Sequence, residues 1–140
     1  MTRARLLRLE AVVHLAAAQL AVMLLPYRVL TRLFERPARR PEFAGPERER
    51  ACLEVRSAIQ GAARWVRGSV CLPRAMAAQA MLRRRAITTT LYLGVGTPSS
   101  ARRGTSHAWL TDGELGVAGT RSNAGYTPVV SYSGARPDAV

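Results

Sequence analysis

Two residue types in this chain could do covalent chemistry at an amide. Cys71 stands in "GSVCLPRAMAAQAMLRRRAI" (68–87), where a loop gives way to a helical pattern, and His107 opens "HAW" at the start of a strand pattern. A cysteine at a helix N-terminus meets unpaired backbone N–H groups and the positive end of the helix dipole. Both favour the thiolate, which is the nucleophilic form. The same N–H groups can face the oxyanion formed when a carbonyl is attacked. An imidazole within reach could take the thiol proton and return it to a leaving amine. The alternative for Cys71 is an inert core cysteine, and for His107 a surface or satisfied core residue.

What orients the imidazole is open at this stage. A hairpin centred on Asp112-Gly113 would set Ala118 opposite His107 with Gly119 beside it, and neither carries a carboxylate. Asp112 is five residues from His107, about 16 Å along an extended strand. It reaches the ring only if the strand bends or ends early, and otherwise reads as a turn residue. A Cys71–His107 dyad held by a backbone carbonyl is the competing arrangement. Asp112 stands as the third candidate.

The elements that must position these residues follow from periodicity. Leu6, Leu9, Val13, Ala16, Leu20 and Met23 or Leu24 predict a helix over about 5–25, closed by Pro26. "YRVLTRLFER" continues as a short amphipathic segment, and "RPARRPEFAGPERER" reads as a linker. A second helix is expected over about 46–67, with Cys52, Val55, Ile59 and Val66 on its core face and Glu47 and Glu49 at its positive start. Ser69 is a candidate cap for a third, central helix from Val70 or Cys71 to Arg84. "ITTTLYLGVG", "HAWLTDGELGVAG" and "YTPVVSYS" then read as strands, with Pro128 favouring an edge. Helices followed by strands predict an α+β domain with its helices packed on one face of a small antiparallel sheet. The divisions expected are 1–45 (apolar helix and linker), 46–135 (core) and 136–140 (tail), together forming one compact domain.

Composition narrows the classes. The chain has 140 residues and a formal charge of +12, and none of its 21 basic residues is lysine. That suits one core and, if the charge is functional, an anionic partner. Nucleic acid is disfavoured, because neither zinc spacing nor an RNA-binding aromatic motif is present. Two cysteines and two histidines, without a C-x-x-C pair, argue against a metal site and for a reduced, cytoplasmic setting. No cofactor is expected. Glu10, His14 and Gln19 interrupt the first apolar stretch, so it reads as a helix of the domain rather than a span or signal peptide. Its Arg3, Arg5 and Arg8 could still touch anionic lipid at a membrane periphery.

The ordered set formed by Cys71 in "CLPRAMAAQAMLRRRAITTTLYLGVG", then "HAW", then an Asp-Gly turn, resembles the small transglutaminase-like cysteine proteases of lasso-peptide biosynthesis, which are papain-like in fold and chemistry. The apolar start ending in "LLPYRVL" resembles theirs as well. The resemblance implies a split, stand-alone leader peptidase acting on a ribosomally made precursor. Its implied partners are the leader-bearing precursor, a separate leader-recognition protein and a macrolactam synthetase. By position, Cys71 becomes the nucleophile and His107 the general acid/base. The family's strand aspartate after the histidine has no counterpart here. A non-catalytic basic protein that docks a precursor or partner enzymes is the alternative.

Overall fold

A computed structural model of the chain describes residues 2–36, 45–120 and 123–133. Four helices precede four strands: α1 (Arg3–Leu24), α2 (Tyr27–Phe34), α3 (Pro46–Ala62), α4 (Cys71–Arg84), β1 (Thr90–Gly96), β2 (Ser106–Asp112), β3 (Leu115–Ala118) and β4 (Tyr126–Ser133). The strands form one antiparallel sheet in the order β3-β2-β1-β4. Most of the expected linker (37–44) and the tail lie outside the described residues.

α4 is the centre of the core. Pro73, Ala75, Met76, Ala77, Ala78, Gln79, Met81 and Leu82 are all buried, so almost every side of the helix is covered. It lies on β2 and β3, with α1 and α3 packed over it. The alanines make this possible, since small side chains let neighbouring backbones approach closely. Gln79 is the polar member of this set, and its Nε2 donates to the Phe34 carbonyl of α2 at 2.9 Å. Satisfied in this way, a buried amide ties α2 to the core rather than destabilising it.

α1 turns a different face inward from the one its large residues suggest. Ala11, Leu15 and Ala18 are buried, whereas Leu6, Leu9, Val13, Leu20, Met23 and Leu24 face solvent. The Leu/Val stripe that marks the helix in the sequence is its outer face. Polar ties fix this orientation. The Glu10 carboxylate accepts from Arg85 Nη2 at 2.6 Å and Arg84 Nη1 at 3.0 Å, joining α1 to the end of α4. Arg85, and behind it Arg84, hold the Glu10 carboxyl below its usual range.

Three expectations shift locally. α3 stops at Ala62 and gives way to a turn through Trp65 and Gly68. Ser69 does not cap α4: the N-cap is Val70, with no side-chain bond, and the buried Ser69 hydroxyl has no partner among the described residues. The β2–β3 turn is Gly113-Glu114, one residue later than expected, with Gly113 at φ +60°. A glycine in the first central position is what a tight hairpin of this hand favours. The slip has a large effect on register. Asp112 pairs with Leu115, and a bulge sets Ala118 opposite Leu110, not His107. Pro128 lies on β4, an edge strand, at a second irregularity opposite Gly94.

The α1 orientation is checked by paired truncations. Leu15→Ala, at 0% exposure, is expected to cost about 2–5 kcal/mol in urea unfolding. Leu9→Ala, at 55%, is expected to stay within about 0.5 kcal/mol.

Candidate active site

Cys71 is the first residue of α4 and is half-buried, beside an exposed Val70. Its position leaves the Cys71 and Leu72 N–H groups at the helix start without a capping side chain. Pro73, next in line, has no N–H to offer. The local field is therefore made by two backbone donors and the dipole of a 14-residue helix.

His107 lies near the start of β2, half-buried. The β1–β2 register sends Ala108 and Leu110 to the helix-covered face, and His107 and Trp109 to the other. There the ring is held on several sides. Nε2 donates to the Gly119 carbonyl at 2.8 Å. Trp109 stacks at 5.8 Å between ring centroids and Tyr126 at 5.0 Å, and Tyr92 stacks on Trp109 at 5.6 Å. The β1–β2 loop completes the wall: Thr105 Oγ1 and the Tyr126 hydroxyl are 3.0 Å apart, and the Arg102 guanidinium lies over the Tyr126 ring.

The Gly119 contact fixes the imidazole's proton. A carbonyl oxygen can only accept, so Nε2 carries a hydrogen, and in the neutral ring Nδ1 is then the acceptor. Gly119 can do this because it is glycine. Its φ is +73°, and a Cβ there would lie 2.7 Å from the Ala108 carbonyl and 3.3 Å from Nε2. A carboxylate-bearing residue cannot occupy this backbone without displacing β2 or the imidazole.

Asp112 is elsewhere. Its carboxylate takes a two-pronged bond from Arg48, Nη2 to Oδ1 at 2.7 Å and Nε to Oδ2 at 2.8 Å. The Cys52 thiol also donates to Oδ2, at 3.5 Å. Arg48 Nη2 additionally reaches the Thr88 carbonyl. This cluster clamps the start of α3 to the hairpin end of the sheet, away from His107. The Arg48 hydrogen bonds hold the Asp112 carboxyl below the ordinary carboxylate range despite partial burial. Burial, and then the negative Asp112, push the Cys52 thiol up to about 12, so it is neutral at physiological pH.

Among the described residues, no hydrogen bond joins the Cys71 thiol to the His107 ring. What the fold brings together is the first turn of α4 and the segment that holds the imidazole. Arg74, three residues after Cys71, lines a hollow of about 200 Å³ with Gly119, Thr120, Arg56 and Gln60. Gly119 is therefore the residue shared by the two halves. The sequence places Gly119 beside His107 without giving it a role, and Tyr126 and Arg48 are not marked at all. The signal for Gly119 was a glycine just past a short hairpin strand; nothing local marked the other two. Among the described residues, no group of three His, Cys, Asp or Glu side chains could hold a metal ion.

Comparison with known proteins gives one match. The family model described as the transglutaminase-like superfamily covers residues 5–131. Neither a curated protein nor a solved structure matches the chain.

The separate role of Asp112 is testable by stability alone. Asp112→Asn is expected to lose about 1–3 kcal/mol at pH 7, since it leaves a partly buried Arg48 short of its partner. The native carboxyl titrates below its unfolded value. Its contribution is thus complete above about pH 4 and is lost as pH falls through the native value. Urea titrations at a series of acidic pH values should show that decline in the natural protein and a flatter profile in Asp112→Asn.

Proposed function

This chain belongs to the transglutaminase-like superfamily, and we propose that it is a cysteine peptidase that removes the leader from a ribosomally made lasso-peptide precursor. The observation that carries the reading is a histidine whose Nε2–H is bonded to the Gly119 carbonyl, which leaves Nδ1 of the neutral ring to act as base for the cysteine that opens α4. The superfamily includes cysteine proteases and enzymes of acyl transfer, and both begin with the same thiolate attack. The ordered run from Cys71 through "HAW" to Asp112-Gly113 supports the narrower lasso-peptide assignment.

In this scheme the Cys71 thiol gives its proton to Nδ1 of His107, and the thiolate attacks the scissile carbonyl carbon. The Cys71 and Leu72 N–H groups, with the α4 dipole, face the oxyanion. As the C–N bond breaks, the imidazolium returns its proton to the departing amine, which leaves as the new N-terminus of the core peptide. A thioester remains on Cys71. Water attacks it, giving a proton to Nδ1, and the leader departs with a free carboxylate while the thiol is regenerated.

Bringing thiol and Nδ1 into contact is part of the proposal. Among the described residues, pairing of β2 with β3 ends at Leu110–Ala118, short of His107. Catalytic hydrogen bonds are often long until substrate is bound. The separate leader-recognition protein and the macrolactam synthetase are the partners this function needs: one to deliver the leader, the other to use the new amine.

Cys71→Ala and His107→Ala are each expected to abolish cleavage of the cognate precursor, followed by mass spectrometry, with circular dichroism unchanged. Precursor cut at the natural rate by Cys71→Ala would refute the nucleophile. Iodoacetamide near neutral pH should label Cys71 and leave Cys52 unmodified, read by peptide mapping. A Cys71 that alkylates no faster than a model thiol would favour a non-catalytic docking protein. Gly119→Ala is expected to cost about 1–2 kcal/mol for its positive φ and to lower the cleavage rate at least about tenfold. Cleavage unchanged in a destabilised Gly119→Ala would show that the carbonyl does not hold the base.

A further inference from the structure

We propose that the outer face of α1, with the α3–α4 turn beside it, docks on an anionic lipid surface. Leu6, Leu9, Val13, Leu20, Met23 and Leu24 are exposed along one side of the helix, with Ala16 and Ala17 between them. At 1.5 Å per residue the stripe is about 27 Å long, and it covers roughly 120° of the helix surface. No acidic or basic residue interrupts it. An apolar surface of this size, uncovered among the described residues, marks an interaction site.

The α3–α4 turn widens the patch. Gln19 Nε2 donates to the Gly68 carbonyl at 3.1 Å, which ties the turn to the flank of α1. In that turn Trp65 is 75% exposed and Val70 is 60% exposed. Trp65 stands between Arg64 and Arg67, both exposed. An exposed tryptophan among arginines suits the boundary between acyl chains and headgroups, where the ring is apolar and the cations meet phosphate.

Charge and shape select lipid over protein. Leu6, Leu9, Val13, Ala16, Leu20 and Met23 alternate in steps of three and four, which a second helix could also use. Ala17, Leu24, Trp65 and Val70 make the patch broader than a two-helix seam. A second copy would also bring together two chains of +12 each. An anionic surface is attracted by that charge. Exposed Arg5 and Arg28 lie near the two ends of the stripe. The helix is long and apolar enough to cross a bilayer. Spanning would strip Ala11, Leu15 and Ala18 from α3 and α4, so α1 lies on the membrane, not through it. In this orientation Val70, and with it the residue before Cys71, sits at the lipid boundary.

The test uses the full chain and vesicles of phosphatidylcholine with or without phosphatidylglycerol. Flotation should show binding at least about tenfold tighter with phosphatidylglycerol, weakening as salt rises. Trp65 emission should shift to the blue on binding, and Trp65→Phe should remove the shift. The triple variant Leu9→Asp, Val13→Asp, Leu20→Asp changes only exposed positions. It should retain its circular dichroism and bind at least about tenfold more weakly. Absence of binding to either vesicle, equal binding to both, or undiminished binding by the triple variant would each overturn the proposal. So would a dimer, seen by light scattering, that forms without lipid and is lost in the triple variant; that result would assign the face to a second copy. None of these readings depends on peptidase activity, so a failed lipid test leaves the proposed reaction standing, and the reverse.

Discussion

A helix buried on nearly every side has little freedom in where it ends, and α4 imposes that constraint on the rest of the chain. Its inner turns are dominated by Ala75, Ala77, Ala78, Met81 and Leu82, all sealed by α1, α3 and the sheet. Shifting it would open cavities on several fronts at once, and close-packed interiors resist that strongly. The consequence is functional. The first turn reaches the surface, so packing far from Cys71 fixes where Cys71 and its backbone donors stand. Glu10 with Arg84 and Arg85 fixes the other end, where three arginines in sequence suit the negative helix terminus.

The histidine is held by a different logic. A carboxylate partner would select the imidazole tautomer and also stabilise the imidazolium formed during catalysis. The Gly119 carbonyl selects the tautomer as firmly but offers only a dipole in place of a full charge. Stacked Trp109 and Tyr126 supply part of the difference, because an aromatic face attracts a cation by roughly 0.5–1 kcal/mol at an exposed site. The arrangement leaves Nδ1 as the acceptor of the neutral tautomer. It demands less of the backbone than a triad but depends wholly on a residue without a Cβ, since any side chain at 119 would collide with the Ala108 carbonyl.

Much of this was legible in the sequence, and what was not has identifiable physical causes. The start of α4 at Cys71, the α+β order and the edge position of β4 follow from period and from proline chemistry, which are local. Register is not local. Setting the hairpin turn one residue early moves the partner of Ala118 by two residues, from Trp109 to His107, and the bulge accounts for the remaining step to Leu110. Asp112 looked available to the histidine because its true partner, Arg48, is 64 residues away and no local pattern announces it. The orientation of α1 is not legible in the sequence for another reason. Hydrophobic periodicity weights large side chains, whereas the face that packs is the one whose alanines permit close approach. Where a helix carries apolar residues on two faces, size alone does not tell which one meets the core.

That double character of α1 links the two halves of the molecule. Its small face completes the core that fixes α4, while its large face gains nothing from the fold and remains uncovered among the described residues. Leaving so much apolar surface in water forgoes roughly 25 cal/mol for each Å² that burial would have removed, a penalty met only when something covers the face. Exchanging these leucines for polar residues would relieve it without touching the core, because none of Leu6, Leu9, Val13 or Leu20 is buried in the fold. The stripe is therefore not explained by the stability of this domain. Its explanation has to lie in an external surface, and the turn that Gln19 binds to α1 carries that surface to the residue before Cys71.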